Sequence, residues 1–440
     1  MLKTPYRHRH QHTVRRQRPR LAAVAAIAAT LALTAAGCSG KANDDDAAEG
    51  DGGGSELRVG DGVTATTVPL GVLTDMTGVY ATLGKSVTQA QQLYFDRFNA
   101  DGGVCGRTVE LTVRDHGYDP QKAVSAYTEL EPEVLGFPQF IGSPYVAAVK
   151  DRIDGQDKGL VIPQAWSATL LGSENIRQIG ATYDVEMINA VDFLVREGAV
   201  GKGDRIGHVY FEGDYGENAL AGSEYAAEAA GLTVVGKKIK ATDQDMTAQV
   251  TSLAKAEVSA VLMSAGPRQS ASLAGVAAAS GLDVPIVGSN PTFAPQLLET
   301  AAGPALLKNF HVSTSTLPIG SPEPGPAELA AAYGKEYPGE LLDTGVIAGW
   351  SAADLFGEAL QRACKAKNLT RGGVTEALLS IDSMDTGFGI THDFSDPAEP
   401  STRESLILRP DAEAKGGMVV AEEAFTATAA ADYAVGGAEG

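Results

Sequence analysis

From residue 68 to about residue 314, short apolar runs alternate with longer stretches in which apolar residues recur every three or four positions. A strand is predicted at VPLGVLT from Val68, followed by a helix that places Val87, Ala90, Tyr94 and Phe98 on one face and stops at Gly102 and Gly103. In TVELTVRD, Val109, Leu111 and Val113 alternate with polar residues, the period of a strand with one covered face. Asp119 and Pro120 have the residue types of an N-cap and a first helical position, opening the helix PQKAVSAYTEL. FPQFIG, LVIP, RIGHVYF, TVVGKKI, AVLMSA, VPIVGS and FHVST read as further strands, most of them separated by roughly ten residues or more of helical pattern. This alternation predicts an α/β fold with parallel sheets built from βαβ units, whose ligand sites lie beyond the carboxyl ends of the strands. Helices dominate from Pro326 to Ser380, and a Gly/Asp-rich segment from Asp382 through FGITHDFSDPAEPS predicts a short β excursion before an alanine-rich tail. No internal repeat of fixed period is present.

The N-terminus follows a different pattern. Lys3, Arg7, Arg9, Arg15, Arg16, Arg18 and Arg20 precede an Ala/Leu-rich stretch from Leu21 to Ala36, and no acid occurs among them. That stretch is short for a bilayer span of about 20 residues, so residues 1–37 read as a signal peptide. LTAAGC resembles a bacterial lipobox, which implies lipidation of Cys38, although Ala stands three residues before it where the motif more often has Leu or Val. Ordinary signal cleavage near a chance cysteine is the alternative. VRRQRPR resembles a twin-arginine signal only weakly, and the export route stays open. Residues 38–65, rich in Asp and Gly, are expected to be a flexible polar tether.

The formal charge of the whole chain is −20, and the part after residue 37 is more acidic still because the seven basic residues of the leader are gone. Such a chain repels phosphate backbones and offers no basic cluster, so nucleic acid is an unfavourable partner. The length left after the tether exceeds the roughly 250–300 residues of a single core, so two lobes are expected. With Cys38 assigned to lipid, Cys105 and Cys364 remain as a pair in an oxidising compartment. A disulfide between them is expected, with two separate buried thiols as the alternative.

Catalytic constellations are scarce. The sequence has no G-x-S-x-G elbow, Walker loop, G-x-G-x-x-G turn or C-x-x-C. His116, His208, His311 and His392 each stand without a second ligand at metal spacing, so no metal and no cofactor is expected. Ser252 and Lys255 have the spacing of a Ser-x-x-Lys nucleophile, but Val250 and Leu253 make this an ordinary amphipathic helix.

Several ordered segments together carry a family resemblance over roughly residues 68–424. VPLGVLTDMTGVYATLGKSVTQAQQLYFDRFNADGG, the D-P-x-x-A-V helix start, FIGSPY, VIPQAWSATL, RIGHVYFEGDYGENAL, QDMTAQVTSLAKAEVSAVLMSAG and GWSAADLFGEALQRACKAKNLTRGGV resemble, in this order, the leucine/isoleucine/valine-binding proteins of ABC importers. The resemblance implies a type I periplasmic-binding-protein fold, two doubly wound parallel-sheet lobes joined by three crossover segments. Residues 66–180 with 315–382 would form one lobe and 181–314 with 383–425 the other, with 426–440 a disordered tail and hinges near Gly180, Ser315 and Asp382. It also implies a cleft lined by Tyr80, Ser143, Trp166, Ser167, Tyr215, Asn290 and Trp350. A hydroxyl near a helix start, as at Ser143, suits a carboxylate or carbonyl oxygen, and aromatic rings cover apolar parts of a ligand.

Two departures bear on the ligand. Amino-acid binders carry an acid after the strand that here reads VPIVGSN, where this chain has Asn290, and an aromatic residue where it has Gly266 followed by Pro267. A neutral or acidic solute without a free amine is therefore expected, such as an amide, a urea-like molecule or a carboxylic acid, unless Asp75 or Asp184 supplies the missing charge. The implied function is capture of that solute by hinge closure and delivery to a membrane permease, by a monomer tethered through its lipid to the extracellular face of the membrane. A sensing receptor is the alternative, and an exported hydrolase a more distant one.

Overall fold

The computed structural model describes residues 56–436; the signal segment, Cys38 and most of the tether lie outside them. Two sheets organise the chain. The first holds four parallel strands in the spatial order Thr108–Asp115, Thr67–Thr74, Gly136–Phe140, Leu160–Val161. Both of its faces are covered, as parallel sheets require: Val68 and Leu70 pack with Phe95 and Phe356, and Leu73, Phe137 and Phe140 pack with Tyr127.

The second sheet has seven strands in the order Met418–Phe425, Ser405–Pro410, Phe310–Thr314, Ile286–Gly288, Ala260–Ser264, Arg205–Phe211, Thr233–Ile239. Five are parallel; Ser405–Pro410 and Met418–Phe425 run antiparallel at one edge. A chain that returns after its last helix can add a tight hairpin to the edge of a parallel sheet without another crossover helix. His208 on Arg205–Phe211 is a buried ring bridging the Ser223 and Ser264 hydroxyls (2.8 and 2.9 Å), and burial lowers its pKa to about 3.

The helices form where the spacing placed them. Asp119 accepts from Lys122 N and Pro120 follows it, opening Pro120–Leu130. Ala81–Ala100 buries Val87, Ala90 and Phe98 against Thr344–Lys365. These two helices approach closely at Gly349, where an added Cβ would stand 2.3 Å from the Val87 carbonyl oxygen. Gly349→Ala is expected to push the pair apart and cost about 1–3 kcal/mol in urea denaturation; a change below 0.5 kcal/mol would mean that the contact relaxes freely.

Cys105 and Cys364 are bonded, with Cα atoms 5.8 Å apart. The bond joins the turn after Ala81–Ala100 to the last turn of Thr344–Lys365.

Three expected boundaries are corrected. The tether does not extend to residue 65: Arg58–Val59 pairs with Asn368–Leu369, and Leu57 and Val63 pack on the first sheet's core. Residues 426–440 are not wholly a disordered tail, since Thr428–Asp432 is a helix with Ala430 buried, flanked by buried Ala427 and Tyr433; these docked side chains hold it where Arg403 Nη1 donates to the Ala430 and Tyr433 carbonyls. The third crossing is not near Asp382. Phe394 is buried in the first sheet's core and its N–H donates to Ile381 O, so the segment after 382 stays with the first sheet until Ser401–Glu404. There the crossings are tied together: Ser401 Oγ accepts from Gly180 N (2.8 Å), and Ser315 Oγ accepts from Ala181 N (3.0 Å) and donates to Glu404 O (2.9 Å).

Candidate functional site

The carboxyl ends of the two sheets' strands face a cleft of about 990 Å³, counting its open mouth. On the first-sheet side, the loop after Thr67–Thr74 carries Tyr80. Asp75 holds this loop by accepting from the N–H groups of Thr77, Gly78 and Tyr80. Burial raises the pKa of Asp75, but the carboxyl is committed to the backbone and does not line the cleft. Tyr80 stands edge-on to Tyr118 (5.0 Å), which stands edge-on to Tyr145 (5.0 Å). Ser143 opens the helix Ser143–Arg152 after Gly142; it is 1% exposed and its hydroxyl has no partner. The Tyr80 hydroxyl is likewise buried and unpartnered. Each of these unpaired buried hydroxyls costs about 1–3 kcal/mol unless a partner meets it.

On the second-sheet side, Tyr183 and Tyr215 lie 4.2 Å apart, ring to ring. The Tyr215 hydroxyl is satisfied by Ser289 Oγ at 2.6 Å, so it offers the cleft its ring. Asn290, at the end of Ile286–Gly288, points its amide at Glu186, the fourth residue of the helix Tyr183–Arg196. Nδ2 donates to Oε1 (2.9 Å) and the backbone N–H to Oε2 (3.2 Å). Glu186 is 1% exposed, and burial pushes its carboxyl up to about 8 against the pull of Asn290. The same desolvation raises the Tyr80, Tyr118, Tyr183 and Tyr215 hydroxyls well above their ordinary value, so all four are neutral donors.

The rest of the lining is mostly apolar: Leu83, Val87, Ile141, Ile162, Ile179 and Ala348 are among it. It includes no Lys, Arg or His. At the deep end, the Ser351 hydroxyl is buried and unpartnered. The two sides touch at the rim, where Gln296 Nε2 donates to Thr82 Oγ1 (3.0 Å) and Thr169 Oγ1 donates to Asp214 Oδ1 (2.7 Å). Gly266 leaves room for Val79 from the opposite side, whose Cγ2 would stand 2.6 Å from a Cβ there.

Of the residues expected to face a ligand, Tyr80, Ser143, Trp166, Tyr215 and Asn290 line this cleft. Ser167 and Trp350 do not. Ser167 caps the short turn Ala168–Leu170, with its Oγ 3.1 Å from Thr169 Oγ1. Trp350 packs edge-on against Tyr94 (5.2 Å), with Arg97 over its ring (5.4 Å). Its helix turns Thr344, Gly345, Ala348, Ser351 and Ala352 toward the cleft, and a period of 3.6 puts position 350 on another face.

Among the lining residues that escaped the reading of the sequence are Glu186, Tyr118 and Tyr183. Glu186 carried a usable signal, an acid between Val185, Met187 and Ile188 in an otherwise apolar turn. The neutral reading of this end of the cleft is thereby corrected: Asn290 is uncharged, but it holds an acid. Asp184, the alternative source of charge, does not line the cleft.

The model of the periplasmic binding protein family matches residues 67–433. A fatty acid ABC transporter substrate-binding protein from Thermomonospora curvata is 52% identical, with a TM-score of 0.85 over 86% of this chain and 97% of that one. A branched chain amino acid ABC transporter protein from Thermus thermophilus with bound valine shares the fold at 21% identity, with a TM-score of 0.75 over 84% of this chain and 98% of that one. Among curated proteins, the Leu/Ile/Val-binding protein BraC3 of Rhizobium johnstonii is 24% identical over 201 residues, which is 44% of this chain and 53% of that protein, so the match spans about half the relative's length.

Proposed function

The chain belongs to the periplasmic binding protein family, and we propose that it is the solute-binding component of an ABC importer whose solute is a monocarboxylic acid with an apolar tail. The observation that carries this reading is the lining of the cleft: unpartnered Tyr80 and Ser143 hydroxyls, a largely apolar surface around them, and a single carboxyl, Glu186, that burial disfavours as an anion to meet an ammonium. A carboxylate fits the hydroxyls and the start of the helix Ser143–Arg152, while its tail gains about 25 cal/mol for each Å² of apolar surface removed from water. The fatty acid named for the 52% identical relative supports the same class.

The lobes meet the solute in turn: it docks on one, the other closes over it, and the closed form is what the permease recognises. Residues 66–180 with 315–400 move as one body and 181–314 with 405–425 as the other. No chemistry is done on the solute. The family is extracytoplasmic, and among the described residues no helix is long and apolar enough to cross a membrane. Lipid on Cys38 would hold the monomer at the outer face of the cell membrane. A second reading rests on Glu186, which would ionise beside an ammonium and so accept an amino acid.

Thermal shift separates the two. Butyrate, octanoate and dodecanoate at a hundred times their dissociation constants are expected to add about 2.7 kcal/mol of stability, with leucine and valine adding none. Stabilisation by leucine or valine alone would overturn the ligand class and leave the family intact.

A further inference from the structure

A carboxylate that enters this cleft finds no cation in the lining. It finds instead one carboxyl, Glu186, which neighbours the same Tyr183 phenol as the Ser143 hydroxyl and whose two oxygens each accept once from Asn290 and each keep a second position. Moving an anion into an apolar cleft without a counter-charge is unfavourable unless a strong donor meets it. A carboxylic acid is such a donor, because its O–H to a carboxylate is a short, charge-assisted bond.

We propose that Glu186 holds the solute's carboxylate through one shared proton, so that the protein captures its ligand only while that carboxyl is protonated. This rests on the monocarboxylate reading above. The balance is simple. The empty protein carries the proton on Glu186, the solute arrives as its anion, and the complex holds one proton between two carboxyls with one net negative charge. Once Glu186 has lost its proton, two anions face each other and the site repels the solute.

The surroundings of Glu186 support this role. Asp184, two residues earlier on the same helix, adds a like charge, and Tyr183 and Tyr215 stand beside it as neutral phenols. From the strand Phe310–Thr314 comes the Ser313 hydroxyl, which donates to the Glu186 backbone carbonyl at 3.1 Å. His311 on that strand lies against Phe193, farther along the helix. On Ser405–Pro410, Arg409 is half exposed and 4.0 Å from Asp411. Tyr433, beyond the helix Thr428–Asp432, is coupled to Asp184. With burial already pushing Glu186 up to about 8, the acid form predominates at neutral pH, and affinity is lost as pH rises through that value.

Calorimetric titration with octanoate between pH 6 and 9.5 tests the proposal. The expected result is constant affinity below pH 8 and a loss of about tenfold per pH unit above it. Glu186→Gln, whose amide can donate to the carboxylate at every pH, is expected to bind with no such break. Asn290→Ala deletes a donor that favours the ionised form and is expected to move the break upward, which keeps the test sound should E186Q fold poorly. Octanoate binding without a pH break in the unaltered chain would overturn the shared proton and leave the monocarboxylate reading standing. Binding of leucine, tightening as pH rises toward 8, with none of octanoate, would overturn both.

Discussion

Ser143→Asp is expected to weaken octanoate binding by at least about 100-fold, a loss of about 2.7 kcal/mol, while the chain still folds. The Ser143 hydroxyl is buried, has no partner and opens a helix beside the cleft. Unlike Glu186, an acid at the first position of Ser143–Arg152 is held ionised by the free N–H groups of the helix start, so it sets a negative charge against the solute's own, and like charges forced together cost several kcal/mol. The fold should tolerate the change because an acid in the first turn of a helix is favoured by the helix dipole. Calorimetry with octanoate checks the affinity, and circular dichroism with a melting curve checks the fold. A variant that folds and binds as before would place the carboxylate elsewhere in the cleft.

Replacing both Cys105 and Cys364 with serine is expected to lower stability by about 3–5 kcal/mol in urea denaturation. The bond closes a loop with a sequence separation of 259, and the entropy it removes from the unfolded chain grows with the logarithm of that length. It crosses no part of the cleft, so octanoate affinity should remain. Cys364 ends the helix whose first turns line the cleft, and a large loss of affinity would show instead that the bond positions that helix. A stability change below 1 kcal/mol would mean that the unfolded chain is already held compact around this pair.

The expected elements were legible wherever one period dominated. Thr67–Thr74, Arg205–Phe211 and Ala260–Ser264 lie where their runs predicted, because a strand between covering helices needs a near-continuous apolar stretch. The edge hairpin Ser405–Pro410 and Met418–Phe425 was not predicted as strands. Its second strand carries Glu422 and Glu423 among half-buried positions, so the apolar signal is diluted as edges commonly are. In the cleft, the position after VPIVGS proved to be a lining residue, but the meaning of a neutral side chain there did not follow from its type.

By itself the sequence determined the alternation of strands and helices, a length that calls for two lobes, and the pairing partners available to sulfur. Each of these depends on residues near in the chain or on composition, and local periodicity records them; the lobe architecture and the loops at the cleft were implied by the family resemblance. Only the tertiary structure decided that Trp350 faces Tyr94 and not the ligand, that Ser167 caps a turn, and that Glu186 and Asn290 meet across 104 positions. The phase of a helix against its neighbours and the burial of a single carboxyl are set by packing from distant segments, and that burial is what pushes the Glu186 carboxyl above its ordinary range.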